Sequence, residues 1–114
     1  LKLLLILGSL LWLPSLYSQA LKDQASLDKG KKLYMSNCIQ CHNKDPNKKG
    51  PLGPEQVDTP YEVFQVKVIS GRYPEKFPKG YIPKRKTKAM RPFPKLKDDV
   101  KYIYSWIQSV KVKK

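Results

Sequence analysis

A chain of 114 residues has room for one small domain at most. Its 23 Lys and Arg against 9 Asp and Glu give a formal charge of +14 at pH 7, which makes anionic surfaces its natural partners. With two cysteines and one histidine in the sequence, a structural zinc site of Cys and His alone is excluded, since such a site takes four protein ligands.

The first twenty residues do not resemble the rest. Leu3 to Leu13 is an apolar run broken only by Gly8 and Ser9, followed by Pro14 and the small-residue stretch Ser18-Gln19-Ala20. This pattern predicts a secretory signal over 1–20, cleaved after Ala20, with a domain over 21–114. Only Lys2 stands for the basic start of such a signal, so the signal is read as truncated there. A spanning helix wants about 20 apolar residues, and this run stops at a helix breaker well short of that, so an uncleaved anchor is the weaker alternative. Cysteine is absent near the cleavage site, which rules out lipid attachment there. Removing 1–20 takes away only Lys2 and leaves +13. An exported protein of that charge is expected in the periplasm, where acidic-faced proteins and the anionic membrane surface are its partners and nucleic acid is not.

The first helix is predicted from Ser26 to Asn37. Ser26 serves as N-cap, Asp28 lies in the first turn, and Leu27, Gly30 and Tyr34 share one face. Gly30 inside a helix costs about 1 kcal/mol relative to Ala, which calls for close approach of another helix. Cys38-Ile39-Gln40-Cys41-His42 follows, the C-x-x-C-H pattern of c-type haem attachment. Its spacing has a mechanical reason: two thiols reach two vinyl groups on one porphyrin edge while the next side chain binds the iron from below. A redox dithiol belongs instead at a strand-to-helix junction, and here a helical pattern precedes the motif. On the motif alone the dithiol and a metal site completed by carboxylates both stay open.

Asn43 to Asp58, centred on Lys-Lys-Gly-Pro-Leu-Gly-Pro, reads as a loop. Thr59-Pro60-Tyr61-Glu62 then combines an N-cap, proline at the first helical position and a capping-box glutamate. Tyr61, Phe64 and Val68 form the stripe of this second helix, and Gly71 is its stop. From Arg72 to Pro94 prolines alternate with many lysines, a length of loop that is usually functional or disordered. The last helix is predicted from Lys97 to Ser109, with Asp98 and Asp99 at its positive end and Val100, Ile103, Ile107 and Val110 as an apolar face beside Trp106. The tail from Lys111 is read as a frayed helix end.

If His42 holds one side of an iron, the candidates for the other are Met35, Met90, a lysine or nothing. Met35 lies three residues before Cys38, on the proximal side. The order helix, C-x-x-C-H, Gly-Pro-Leu-Gly-Pro, helix, then Met90-Arg91-Pro92-Phe93-Pro94 before a closing helix resembles the small, exported class I cytochrome c family. The resemblance implies an all-α fold of three main helices and long loops wrapped around one covalently bound haem c. It further implies attachment at Cys38 and Cys41, iron ligation by His42 and Met90, and a crossing of Gly30 and Tyr34 against Ile103 and Trp106. It assigns the carbonyl of Pro51 to the Nδ1 hydrogen bond of the proximal histidine. Two features depart from the family's short members: the long basic stretch Tyr73 to Lys88, and Arg91 where a proline often follows the methionine.

The function so implied is one-electron transfer by a monomer and not catalysis, since no acid, base or nucleophile pattern stands elsewhere. Two alternatives remain open at this level: a haem subunit of a larger dehydrogenase or oxidase, and a small-molecule-binding haem protein with an open iron site. Lys76, Lys79, Lys84, Arg85, Lys86, Lys88 and Arg91 are expected around the haem-bearing front as a docking face.

Overall fold

The computed structural model describes residues 13–85 and 89–113. Helix α1 spans Leu13–Asn37, α2 Tyr61–Ser70 and α3 Val100–Ser109, with a 3₁₀ turn at Pro94–Leu96. The described residues contain no strand, so the fold is the expected all-α arrangement of three helices with long loops. The first twelve residues of the proposed signal lie outside the described part. None of the described helices is long and apolar enough to cross a membrane.

α1 begins well before Ser26, so Ser26 is not its cap. The Ser26 hydroxyl instead donates back to the Lys22 carbonyl at 3.0 Å, as a serine inside a helix does. Strong helix formers on the N-terminal side, Ala20 to Lys22 and Gln24 to Ala25, carry the helix past it. α2 also starts later than Thr59: Pro60 is the flanking residue, in extended geometry, and no side chain caps the helix. Thr59 is engaged elsewhere, its carbonyl accepting the Tyr104 hydroxyl at 2.9 Å. Gly71 ends α2 as expected, in the left-handed conformation with φ 75° and its N–H on the Lys67 carbonyl. The closing helix begins at Val100, later than the expected Lys97, because residues 97–99 form a turn after the 3₁₀ segment; Asp99 precedes α3 and its carbonyl accepts from Tyr102 and Ile103.

The largest helix–helix interface joins α1 to α3. Gly30 makes it possible, because a Cβ there would run into the backbone carbonyl of Tyr102 and against Trp106. One turn on, the Tyr34 ring packs on Trp106 with centroids 5.1 Å apart, and its hydroxyl donates to the Asn43 carbonyl at 2.6 Å. Val100, Ile103 and Ile107 are fully buried beneath this crossing, joined by Phe64, Val68 and Leu96. Tyr61 is exposed and packs its ring on Tyr104, while Val63 is buried in α2. Val110 falls outside the apolar face, at the exposed end of α3. Beyond it the tail is fastened, not frayed. Asn47 donates to the Val110 carbonyl at 3.0 Å and accepts from the Val112 N–H at 2.9 Å, and Lys111 pairs with Asp58 at 3.0 Å.

Candidate haem-binding site

The motif is an extension of α1. Cys38 N–H still bonds to the Tyr34 carbonyl, and the Cys38 carbonyl then receives both Cys41 N–H at 3.3 Å and His42 N–H at 2.9 Å. One helical turn therefore brings the side chains at i, i+3 and i+4 to a common side. The loop that follows clasps this turn. The Cys41 carbonyl accepts from Leu52 at 3.1 Å and from Gly53 at 2.8 Å, and Gly50 closes the clasp on the Gly53 carbonyl at 2.9 Å. Two glycines allow the approach. A Cβ on Gly50 would strike the backbone of Cys41 and His42, and one on Gly53 would enter the imidazole ring of His42.

His42 Nδ1 lies 3.1 Å from the Pro54 carbonyl. The expectation for Pro51 is thereby corrected. Pro51 is exposed at the tip of the clasp, and the second Gly-Pro pair, not the first, is the one carried back beneath the ring. With Nδ1–H donated to Pro54, Nε2 keeps its lone pair for a metal. Burial lowers the His42 pKa most strongly; the Pro54 bond opposes it, and the charges of Arg85 and Lys67 add to the lowering. The ring is therefore neutral at neutral pH, the form that binds iron.

Cys38, Cys41 and His42 open into a cavity of about 350 Å³ walled by Phe64 and Val68 of α2 and by Phe93, with Met90 on its lining. That volume falls in the range of small-molecule and cofactor pockets. Met90 is fixed by its backbone: its N–H donates to the Gly71 carbonyl at 2.9 Å, and Phe93 N–H donates to the Val68 carbonyl at 2.7 Å. A side chain at position 71 would collide with the Met90 carbonyl, so Gly71 both ends α2 and admits this strand of loop. His42 is thus held by the loop that leads into α2, and Met90 by its far end, about 15 Å along the helix. Met35, the other methionine, packs against the buried cluster instead. Among the described lysines, Lys67 reaches the cavity wall, with its ammonium 3.8 Å from the centroid of the Tyr73 ring.

The alternatives to haem lose their footing here. Burial pushes the Cys38 thiol up to about 12, with the nearby Cys41 adding to the shift. Cys38 also sits at the C-terminal, negative end of α1, whereas a redox dithiol needs a stabilised thiolate. Among the described residues no three His, Cys, Asp or Glu side chains converge on a metal-sized site. A flat iron macrocycle tied by two thioethers suits the rest: paired thiols and a neutral imidazole on one helical turn, an apolar cleft, and a thioether on its wall.

The long basic loop is part of this site. Tyr73, Phe77 and Tyr81 pack in sequence, the first pair edge to face and the second tilted, with centroids 5.3 and 5.6 Å apart, and Tyr73 and Tyr81 face the cavity. Arg85 also lines it and lies 3.4 Å from the Gly53 carbonyl, while Lys84 pairs with Glu55 at 3.0 Å and with Asp58 at 3.7 Å. These two residues tie the loop to the His42 clasp, so this part of the basic stretch helps to build the site itself. Lys76, Lys79 and Arg91 are exposed, and Lys86 and Lys88 lie outside the described residues. Sequence reasoning missed Gly53, Pro54, Gln56 and the inward turn of Arg85; only the repeated Gly-Pro pair signalled any of them.

The family model described as Cytochrome c matches residues 27–111, from the middle of α1 through the fastened tail. Comparison with curated proteins and with solved structures gives no match.

Proposed function

We propose that this chain, which belongs to the cytochrome c family and carries covalently attached haem c, is a one-electron carrier with His42 and Met90 as axial ligands. When bound, the haem supplies an iron couple that gains and loses one electron. Cys38 and Cys41 anchor it by thioether bonds, one haem per chain. His42 gives Nε2 to the metal, and the Pro54 carbonyl fixes the ring's tautomer and plane. Met90 offers a soft thioether that favours the reduced state. Phe64, Val68 and Phe93 give the cleft an apolar wall, which leaves fewer solvent dipoles to reorient when the iron changes charge. The observation that carries this reading is the shared cavity, with the C-x-x-C-H turn at one end of α2 and Met90 tied to the other.

The family's general role supports electron transfer over catalysis. The proposed setting is the periplasm and the proposed partners are acidic-faced redox proteins, both read from the exported-type N-terminus and the charge of +14. The anionic membrane surface is a further place of contact, and the carrier acts as a monomer. Adding carbon monoxide to the reduced holoprotein tests the reading. Filled axial positions predict an unchanged spectrum, and a rapid shift would instead mark an open, ligand-binding iron.

A further inference from the structure

Gln56 stands beside the proximal histidine without a part in the ligation just described. Its side-chain Nε2 lies 2.8 Å from the Pro54 carbonyl oxygen and 3.1 Å from His42 Nδ1, which is itself 3.1 Å from that oxygen. The three atoms form a nearly equilateral triangle. If Nε2 of His42 binds iron, Nδ1 must carry the proton, so it cannot accept from Gln56. Turning the amide round would set its oxygen against the Pro54 oxygen at 2.8 Å, acceptor to acceptor. Only one assignment leaves no repulsive pair of lone pairs: both N–H groups donate to the one Pro54 carbonyl oxygen, which can accept more than one donor. Gln56 is also locked by its backbone, whose N–H donates to the Pro46 carbonyl at 2.8 Å, and Pro46 is buried.

We propose that Gln56 is a positioning residue that tunes His42 by sharing the Pro54 carbonyl. The physical argument runs through the carbonyl's electrons. A carbonyl that accepts only the imidazole N–H draws that proton more strongly, gives the ring more imidazolate character and makes it a better donor to oxidised iron. A second donor on the same oxygen withdraws density from that bond and weakens the effect. Gln56 thereby holds the potential higher than the His–Pro bond alone would set it, and its amide keeps the carbonyl aimed at the ring.

The inference rests on His42 ligation, so the test must separate the two. Gln56→Leu removes the second donor without adding charge, and Gln56→Glu keeps the side chain's shape while replacing the donor with an acceptor. Each holoprotein is characterised by its far-red sulfur-to-iron band, its midpoint potential and the proton resonance of His42 Nδ1–H in the reduced state. The expected result for Gln56→Leu is a lower potential, with the Nδ1–H resonance moved downfield and the far-red band retained. Gln56→Glu should shift both further the same way, since its carboxylate accepts the imidazole proton directly. An unmoved Nδ1–H resonance in both variants, at the parental potential and with the band retained, would overturn the role of Gln56 and leave the ligand assignment standing. A parent protein in which no His42 Nδ1–H resonance responds to reduction would sink the ligand assignment itself.

Discussion

At the scale of single residues, the site depends on atoms that are missing as much as on those present. Gly53 has no side chain because the His42 ring occupies the space where one would be. Gly53→Ala forces either the ring or the clasp to move. Both are backbone-tied, so an overpacking cost of about 1–3 kcal/mol is expected, together with a lower ratio of haem to protein in the purified product. Absorbance at the haem and protein bands reads this ratio directly; an alanine variant with parental haem content and melting temperature would show that the clasp yields freely. Pro54 was hidden in the sequence for a related reason. Pro51 and Pro54 each follow a glycine, and nothing local distinguishes them. The choice is made by the Gly50–Gly53 turn, which points position 51 to solvent and returns 54 beneath the ring. Gln56 gives no sequence signal, since its role exists only once Pro54 and His42 are brought together.

Among the elements, periodicity and stop signals were legible where they acted locally. Gly71 was, because a left-handed stop is a property of glycine itself, and so was the α3 face of Val100, Ile103 and Ile107. The start of α1 was not: Ser26 has the chemistry of a cap, but good helix formers on its N-terminal side outcompete it. Gly30 was legible as a close approach, and it allows a decision between two magnitudes. Gly30→Ala gains about 1 kcal/mol in helix propensity. Against this stands the collision of its Cβ with the backbone of Tyr102, an obstacle that cannot rotate away, at about 1–3 kcal/mol. Net destabilisation is expected, read as a lower denaturant midpoint with an unchanged slope. A variant as stable as the parent would mean that α1 and α3 can separate without loss. The 72–94 loop was legible only as long and basic. What organises it is side-chain packing and pairing: the Tyr73–Phe77–Tyr81 ring cluster, the Lys84 pair with Glu55, and Arg85 at the clasp.

Over the whole molecule, the charge of +14 divides into residues that build the site and residues free to meet a partner. Lys84 and Arg85 belong to the first group, so reversing their charge would loosen the loop as well as alter docking. Lys76 and Lys79 are exposed and are the cleaner probes, whereas Arg91 lines the cavity beside Met90. Reversing these two lysines should slow electron exchange with an acidic partner at low salt. The parental rate should itself fall as ionic strength rises past about 0.1 M, where the Debye length shrinks below about 10 Å. A salt-independent rate would assign the charge to solubility or membrane association. The central claim, however, is that one cleft joins His42 and Met90 on a single iron. The ferric far-red absorption band of sulfur-to-iron charge transfer tests it most directly, compared between the parent and Met90→Ala. The band is predicted in the parent and absent from the variant, whose potential should also fall; a band that persists in Met90→Ala, or is missing from the parent, contradicts the account.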